Sequence, residues 1–210
     1  MTMLSQSLEV EGETVVKTMQ TDTLEESVVL VKPDGTLVQN EIRNLKGPQI
    51  GEFHEGGIVF YLFNGGESGL IMSLEDLSEN IVWSPDLTDL DNVESVYSGQ
   101  LNTDSLILNY GNTSNYAALE CDNYFYDGFA DWYLPSRGEL KILMSNMLSL
   151  NYALENDSNP NTQIIDENSE YWSSTQRNTT LAYTMSWNWS TNILRKKDSQ
   201  SYKIRAIRKF

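Results

Sequence analysis

Cysteine and histidine are nearly absent from this chain of 210 residues, in which each occurs once, as Cys121 and His54. A single cysteine excludes an internal disulfide and any metal site built from several cysteines. A single histidine removes most zinc sites and argues against a Ser-His-Asp triad. Basic residues are also few, with 14 Lys and Arg against 30 Asp and Glu. Nucleic acid is therefore not an expected partner, because phosphate binding needs a basic face.

Long hydrophobic runs are missing as well. No apolar stretch approaches the roughly 20 residues that a membrane-spanning helix needs. The first residues have neither a basic start nor an apolar segment, so no signal peptide and no membrane insertion are expected. Hydrophobic residues still make up 40% of the chain and aromatic residues 10%, which is enough to close a core and excludes wholesale disorder.

The charges are unevenly distributed along the chain. Residues 47–170 carry 21 acidic and two basic side chains, whereas residues 171–210 carry one acidic and eight basic side chains. Two interpretations stay open for this basic C-terminal segment. It pairs with acidic neighbours of its own domain, or it forms a basic patch that faces a ligand.

Residues 1–46 are predicted to form an extended, β-rich stem or anchor. A β-branched run at 28–31 precedes the turn Lys32-Pro33-Asp34-Gly35, and a strand resumes at 36–38. Proline presets the first turn angle and glycine tolerates positive φ. So few large apolar side chains cannot form an independent core, so this region is expected to pair with other copies or to attach to a larger body.

Residues 47–210 are predicted to form the main domain, which begins with an antiparallel strand pair. The apolar strand 57–63 is expected to be buried on both faces, and 64–66 turns the chain into a partner strand at 69–72. Residues 84–112 are rich in Asp, Asn, Ser and Thr and are predicted to be a loop.

Two helices are predicted next. The first spans about 114–124 and places Cys121 on its apolar side as a small buried hydrophobe. The second begins at a capping box formed by Ser136 and Glu139. Apolar side chains follow at helical spacing and are expected on one face: Leu140, Leu143, Met144, Met147 and Leu148. Alternating residues at 181–189 indicate a half-buried strand, so the expected fold class is α+β.

Five segments resemble a known family. They are Gly56–Leu62, Gly99–Thr103, Asp131–Leu140 (DWYLPSRGEL), Tyr171–Thr175 (YWSST) and Ile204–Phe210. In order and spacing they resemble the C-terminal domain of bacterial collagen-like adhesins, the Lcl C-terminal family. This resemblance implies a C-type-lectin-like fold, with two helices and antiparallel sheets, over about residues 50–210. In the resemblance, Trp132 and Trp172 are scaffold residues, and the indole N–H of Trp172 donates to a backbone carbonyl.

Residues 1–46 resemble the short β-rich stems of phage fibres and bacterial surface proteins, which are commonly trimeric. The resemblance implies a surface-displayed or virion protein, a homo-oligomer whose head binds a glycan or protein of the host surface. A purely structural fibre or capsid-decoration protein is the alternative, and a bacterial cell-surface or extracellular location is the alternative to the virion.

The family's usual recognition face corresponds to residues 176–199, a segment rich in Asn, Ser, Thr, Trp and Arg. By position in the family pattern, Tyr183, Met185 and Trp187 point inward and Thr184, Ser186 and Asn188 point outward. Trp189 falls at a turn and is either exposed or buried. The candidate ligand-binding residues are Arg177, Asn178, Thr184, Ser186, Asn188, Trp189, Asn192 and Arg195.

An enzymatic function is not expected. Formylglycine-generating enzymes are similar in fold class, but their chemistry needs paired cysteines and Cys121 stands alone. His54 is interpreted as a hydrogen-bonding loop residue.

No cofactor is expected either. Asp86, Asp89 and Asp91 form a D-x-x-D-x-D pattern that fits a solvated acidic loop or a Ca²⁺ site, without the glycine and terminal glutamate of an EF-hand. The segments 159–161 and 187–189 lack the carboxylates of the sugar-binding tripeptides of Ca²⁺-dependent lectins.

Overall fold

A computed structural model describes residues 6–10, 14–19, 27–41, 47–112, 114–188 and 193–210. The chain divides into two compact units, Met1–Gly47 and Pro48–Phe210. In the described part of the chain no helix is both long and apolar enough to cross a bilayer.

The first unit contains two antiparallel hairpins. In the first, β1 (Gln6–Val10) pairs with β2 (Thr14–Met19), and in the second β3 (Ser27–Val31) pairs with β4 (Leu37–Glu41). The predicted turn connects β3 and β4. The N–H of Gly35 donates to the carbonyl of Lys32 at 2.9 Å, and the φ of +83° at Gly35 explains the glycine.

Where the structure describes it, the second unit combines two antiparallel sheets with four helices, which makes it α+β. The four-stranded sheet has the order β11-β7-β6-β5, and the three-stranded sheet has the order β10-β9-β8. The elements are β5 (Phe53–His54), β6 (Gly57–Phe63), β7 (Ser68–Met72), α1 (Gly99–Tyr110), α2 (Ala117–Asp122), α3 (Arg137–Ser145), α4 (Met147–Glu155), β8 (Tyr171–Gln176), β9 (Leu181–Met185), β10 (Ile193–Lys196) and β11 (Ile207–Lys209).

The predicted hairpin of β6 and β7 is confirmed. The expected burial of β6 is confirmed only for the first four residues of the strand. Gly57, Ile58, Val59 and Phe60 are buried, whereas Tyr61 is 38% exposed. Leu62 and Phe63, which follow Tyr61, are half-buried. Continuous hydrophobicity therefore overestimated how much of the strand is enclosed.

The capping box of α3 is confirmed. Oγ of Ser136 accepts from the N–H of Glu139 at 3.3 Å, and Oε2 of Glu139 accepts from the N–H of Ser136 at 2.8 Å. The predicted single helix is nevertheless interrupted at Asn146, whose Nδ2 donates to the carbonyl of Phe60 at 3.0 Å. Leu148 is 69% exposed rather than buried, because it lies to the side of the face that Met147, Leu150 and Leu154 bury.

The predicted loop at 84–112 is wrong for its second half, since α1 spans Gly99–Tyr110. The buried side of α1 includes Asn102 and Thr103, while Leu101 and Leu108 are 61% and 86% exposed. Buried polar side chains and exposed leucines cancel the hydrophobic periodicity from which a helix is recognised. In its described residues the domain has four helices, whereas the resemblance implies two.

Three fully enclosed indoles anchor the first part of the core. Trp83, Trp132 and Trp172 are no more than 1% exposed. As expected, Nε1 of Trp172 donates to a backbone carbonyl, that of Ile81, at 2.9 Å. A second apolar cluster lies between the four-stranded sheet and helices α3 and α4.

Candidate functional site

The candidate residues do not form one patch on the three-stranded sheet. Arg177 and Asn178 occupy the exposed turn between β8 and β9, whereas Asn188 lies in the turn after β9, at its opposite end. There Nδ2 of Asn188 donates to Oδ1 of Asn168 at 3.1 Å. Trp189 and Asn192 lie outside the described residues.

The expected orientation of β9 is wrong for two residues. Thr184 and Ser186 are each only 1% exposed, while Tyr183 and Trp187 are half-buried. Thr184 is held inward because its Oγ1 donates to Oε2 of Glu170 at 2.8 Å. Met185, expected inward, is 2% exposed, and Asn188, expected outward, is exposed, so the alternation is right for these two residues.

Glu170 brings two of the candidates, Thr184 and Arg195, together. Nε of Arg195 donates to Oε2 of Glu170 at 2.8 Å, and Nη2 donates to Oε1 at 2.5 Å. This fork-to-fork arrangement is the strong form of an arginine–carboxylate pair, and the hydrogen bond to Glu170 raises the pKa of Arg195 above its usual value. The side chain of Arg195 is still 36% exposed, so it is fixed and reachable at once.

An open groove lies beside Arg195 at the edge strand β10. Its volume is about 500 Å³. The guanidinium of Arg195 lies 5.8 Å from the ring centre of Tyr202, and Leu194 is 38% exposed. The groove is lined by Leu181, Leu194, Arg195, Lys196, Asp198, Ser199 and Tyr202. We call these seven residues the Arg195 groove.

Much of the remaining C-terminal basic charge is paired within the domain. Nε of Arg205 donates to Asp76 at 2.8 Å, Nζ of Lys203 donates to the same carboxylate at 3.1 Å, and Nε of Arg208 donates to Asp131 at 2.7 Å. The interpretation that this segment pairs with its own acidic neighbours is confirmed for these residues. They therefore do not form a free basic patch.

The acidic loop at 86–91 packs against a buried lysine. Lys197 is fully buried, and its Nζ donates to the carbonyl of Thr88 at 2.7 Å and to Oε1 of Gln176 at 2.6 Å. Its Nζ also lies 4.7 Å from the ring centre of Trp83. Burial lowers the pKa of Lys197 to about 8, and the nearby carboxylates oppose that shift.

The carboxylates of that loop also serve as local hydrogen-bond acceptors. Oδ1 of Asp89 accepts from Nε2 of Gln176 at 2.7 Å, and Oδ1 of Asp86 accepts from the N–H of Thr88 at 3.1 Å. In the described part of the chain no three His, Cys, Asp or Glu side chains come together as a metal site.

Cys121 and His54 lie in packed surroundings. Cys121 is fully buried on α2, as predicted, and burial raises the pKa of its thiol well above the usual value. A thiol held protonated in this way is a poor nucleophile. His54 belongs to β5 rather than to a loop, and its ring packs edge-on against Phe210 with the ring centres 4.7 Å apart.

A larger cavity of about 1200 Å³ lies between α4 and the segment 157–168. Leu148 and Tyr152, one turn apart on α4, are about 70% exposed there, at 69% and 71%, and Ile164 is 47% exposed on the opposite side. Leu148 and Tyr152 lie outside the face of α4 that Met147, Leu150 and Leu154 bury against the core.

No family model matches the chain, and no curated protein matches it. Among solved structures the likeness is distant. A solved structure described as a fimbrial protein from Bacteroides ovatus ATCC 8483 is similar, with a TM-score of 0.54 and 21% sequence identity. The match covers 87% of this chain and 48% of that one, so the chain spans about half the length of the fimbrial protein. At this identity the likeness concerns the fold alone.

Proposed function

We propose that this chain is a non-enzymatic, surface-displayed protein whose second unit binds a ligand through the Arg195 groove. The observation that carries the proposal is the Glu170–Arg195 pair. It holds a partly exposed guanidinium in one position at the edge of an open groove. A fixed cation beside Tyr202, Leu194 and Lys196 offers the mixture of charge, aromatic ring and apolar surface that recognition sites use.

We infer that the fold of this unit is C-type-lectin-like and related to the Lcl C-terminal family. The DWYLPS and YWSST segments support this inference, and so does the α+β arrangement of two antiparallel sheets. The ligand that such a head fits is a glycan or protein of a host surface. The name of the fimbrial structural neighbour is compatible with display on a surface, either a virion or a cell.

We further propose that residues 1–46 are the stem or anchor of this head and that they assemble the chain into a trimer. The hairpins β1–β2 and β3–β4 support this role, because isolated two-stranded hairpins are marginal alone and gain stability from further strands. A trimer multiplies a weak affinity per site through avidity.

A glycan array probed with the labelled full chain tests the binding function. The variants Leu194→Ala and Lys196→Ala alter the groove without touching the Glu170–Arg195 pair. We expect each to weaken binding to the glycans that the parent chain selects. Leu108→Ala on α1 and Lys209→Ala on β11 are the matched controls and should bind as the parent does. If no array or host-surface extract retains the parent chain, the purely structural alternative replaces this proposal.

A further inference from the structure

Two isolated cations lie side by side on α3. Arg137 and Lys141 are the two basic residues of the entire segment 47–170. They are four residues apart, so their side chains leave the same face of the helix. Both line a cavity of about 380 Å³ whose other wall is formed by Val96 and Tyr97.

Neither cation has an acidic partner within the described ranges. By contrast, Arg195, Arg205 and Arg208 each donate to a carboxylate at 2.8 Å or less. Nε of Arg137 is buried and has no hydrogen-bond partner. Arg137 and Lys141 therefore place two positive charges side by side at one cavity, where an anion from outside could neutralise both.

Arg137 is positioned by stacking instead of by an acid. Its guanidinium carbon lies 4.6 Å from the ring centre of Tyr183, over the face of the ring. Stacking on a ring leaves the N–H groups at the edge of a guanidinium able to donate to a planar acceptor.

The wall of the cavity is fixed in advance. The carbonyl of Val96 accepts from Oγ of Ser136 at 2.9 Å and from the N–H of Gly138 at 3.0 Å. The N–H of Arg137 donates to Oγ1 of Thr175 at 3.0 Å. The first N–H groups of α3 are thus already used, and an anion at this place would bind to side chains rather than to the helix end.

The one carboxylate that lines the cavity does not serve as the counter-ion. Glu139 is 5% exposed, and its Oε2 accepts from the N–H groups of Gly99 and Ser136, both at 2.8 Å. Its Oε1 accepts from the hydroxyl of Tyr133 at 3.1 Å. These donors occupy the Glu139 carboxylate and leave the charges of Arg137 and Lys141 unneutralised.

We propose that this cavity binds the carboxylate of a small molecule between Arg137 and Lys141. A carboxylate matches the planar donor fork of arginine, and lysine supplies a second charge. The volume lies within the range of small-ligand pockets. Tyr97, which is 87% exposed at the rim, offers a ring face to the rest of the ligand. The site is separate from the Arg195 groove and does not depend on it.

Titration of the isotope-labelled full chain by NMR tests the proposal. Glucuronate and N-acetylglycine are the two carboxylate probes, and glucose and N-acetylglycinamide are their neutral counterparts. We expect both acids, and neither neutral compound, to shift the amide signals of Tyr97, Arg137 and Lys141. A tighter response to glucuronate than to N-acetylglycine would assign the carboxylate to a sugar acid, and the reverse to a peptide-like acid.

Charge variants distinguish carboxylate binding at this cavity from non-specific attraction between the anionic probe and basic side chains elsewhere. Lys141→Gln is on an exposed position, so the fold tolerates it, and it should weaken acid binding about tenfold, the effect of losing one charge-assisted hydrogen bond. Lys209→Gln removes an exposed charge elsewhere and should bind as the parent does. Equal shifts with acid and neutral probes, no shifts with any probe, or equal losses in the two variants would overturn the proposal. Groove variants such as Lys196→Ala should leave this binding unchanged.

Discussion

Arg205 and Asp76 stand 129 residues apart in the chain and form a buried ion pair, with Nε of Arg205 donating to Oδ1 of Asp76 at 2.8 Å. The two side chains are 1% and 2% exposed. The pair ties the segment after β7 to the residues that lead into β11. It explains why a strongly acidic segment and a strongly basic one occur in the same domain.

Asp76→Asn is predicted to destabilise the second unit strongly. The substitution leaves Arg205 buried without its counter-ion, a change that typically costs about 3–5 kcal/mol. Urea denaturation followed by tryptophan fluorescence measures the loss. Glu79→Gln is the control, because Glu79 is 67% exposed and lies 3.7 Å from Lys203. That exposed pair should contribute no more than about 1 kcal/mol, and equal losses in the two variants would contradict this account.

Glu139→Gln is predicted to lower the free energy of unfolding by about 2 kcal/mol or more. The carboxylate accepts from Ser136, Gly99 and Tyr133, and an amide presents an N–H to at least one of these donors. Chemical denaturation of this variant is compared with that of Glu155→Gln, which changes an exposed carboxylate at the end of α4. A Glu139→Gln variant as stable as the control would show that the three bonds contribute little.

Gly138→Ala is predicted to destabilise the protein although alanine is the better helix former. An added Cβ would stand 2.3 Å from the carbonyl oxygen of Val96, and relieving such a clash costs about 1–3 kcal/mol. In an open helix the same substitution gains about 1 kcal/mol. Thermal unfolding shows whether Gly138→Ala lowers or raises the stability. Ser145→Ala at the exposed end of α3 is the reference. A rise in Tm for Gly138→Ala would refute the close approach of α3 to the segment at Val96.

The buried amine of Lys197 is predicted to give the protein a distinctive pH dependence. The folded pKa is about 8, whereas an unfolded lysine titrates near about 10.4. The unfolded chain therefore binds more protons between these values, and stability rises with pH from about 8 to about 10. Below about pH 8 the cost of the buried charge is fully present.

The variant Lys197→Met isolates this effect. The unfolding free energy of the parent should rise relative to that of the variant as the pH is raised from 8 to 10. The other titratable groups are the same in both proteins, so their contributions cancel in the difference. Urea titrations at a series of pH values measure it. Parallel profiles for the two proteins would mean that the folded pKa of Lys197 is not lowered.

Local signals in the sequence predicted the fold better than they predicted the site. The start of α3 was predictable because Ser136 and Glu139 satisfy each other's backbone within four residues. Helix α1 was missed because its buried face holds Asn102, whose partners Ser95 and Ser174 come from outside the helix. Glu170 carries no local signal at all, since its partners lie 14 and 25 residues away.

The burial of Thr184 on β9 was missed for the same reason. Aromatic residues at alternate positions suggested that their side faces the core, but Glu170 holds the hydroxyl of Thr184 inside. Burying a polar side chain costs little free energy when a hydrogen-bond partner is present in the interior. That partner is set by tertiary packing, so neighbouring residues in the sequence do not reveal it.

The measurement that tests the central claim most directly is the molar mass in solution. We propose binding heads that are displayed on an oligomerising stem. Light scattering should give three times the chain mass of 23.9 kDa for the full protein, and the monomer mass for a chain that begins at Pro48. A full-length monomer would contradict the oligomerising stem and, with it, the avid surface binding that the trimer supplies.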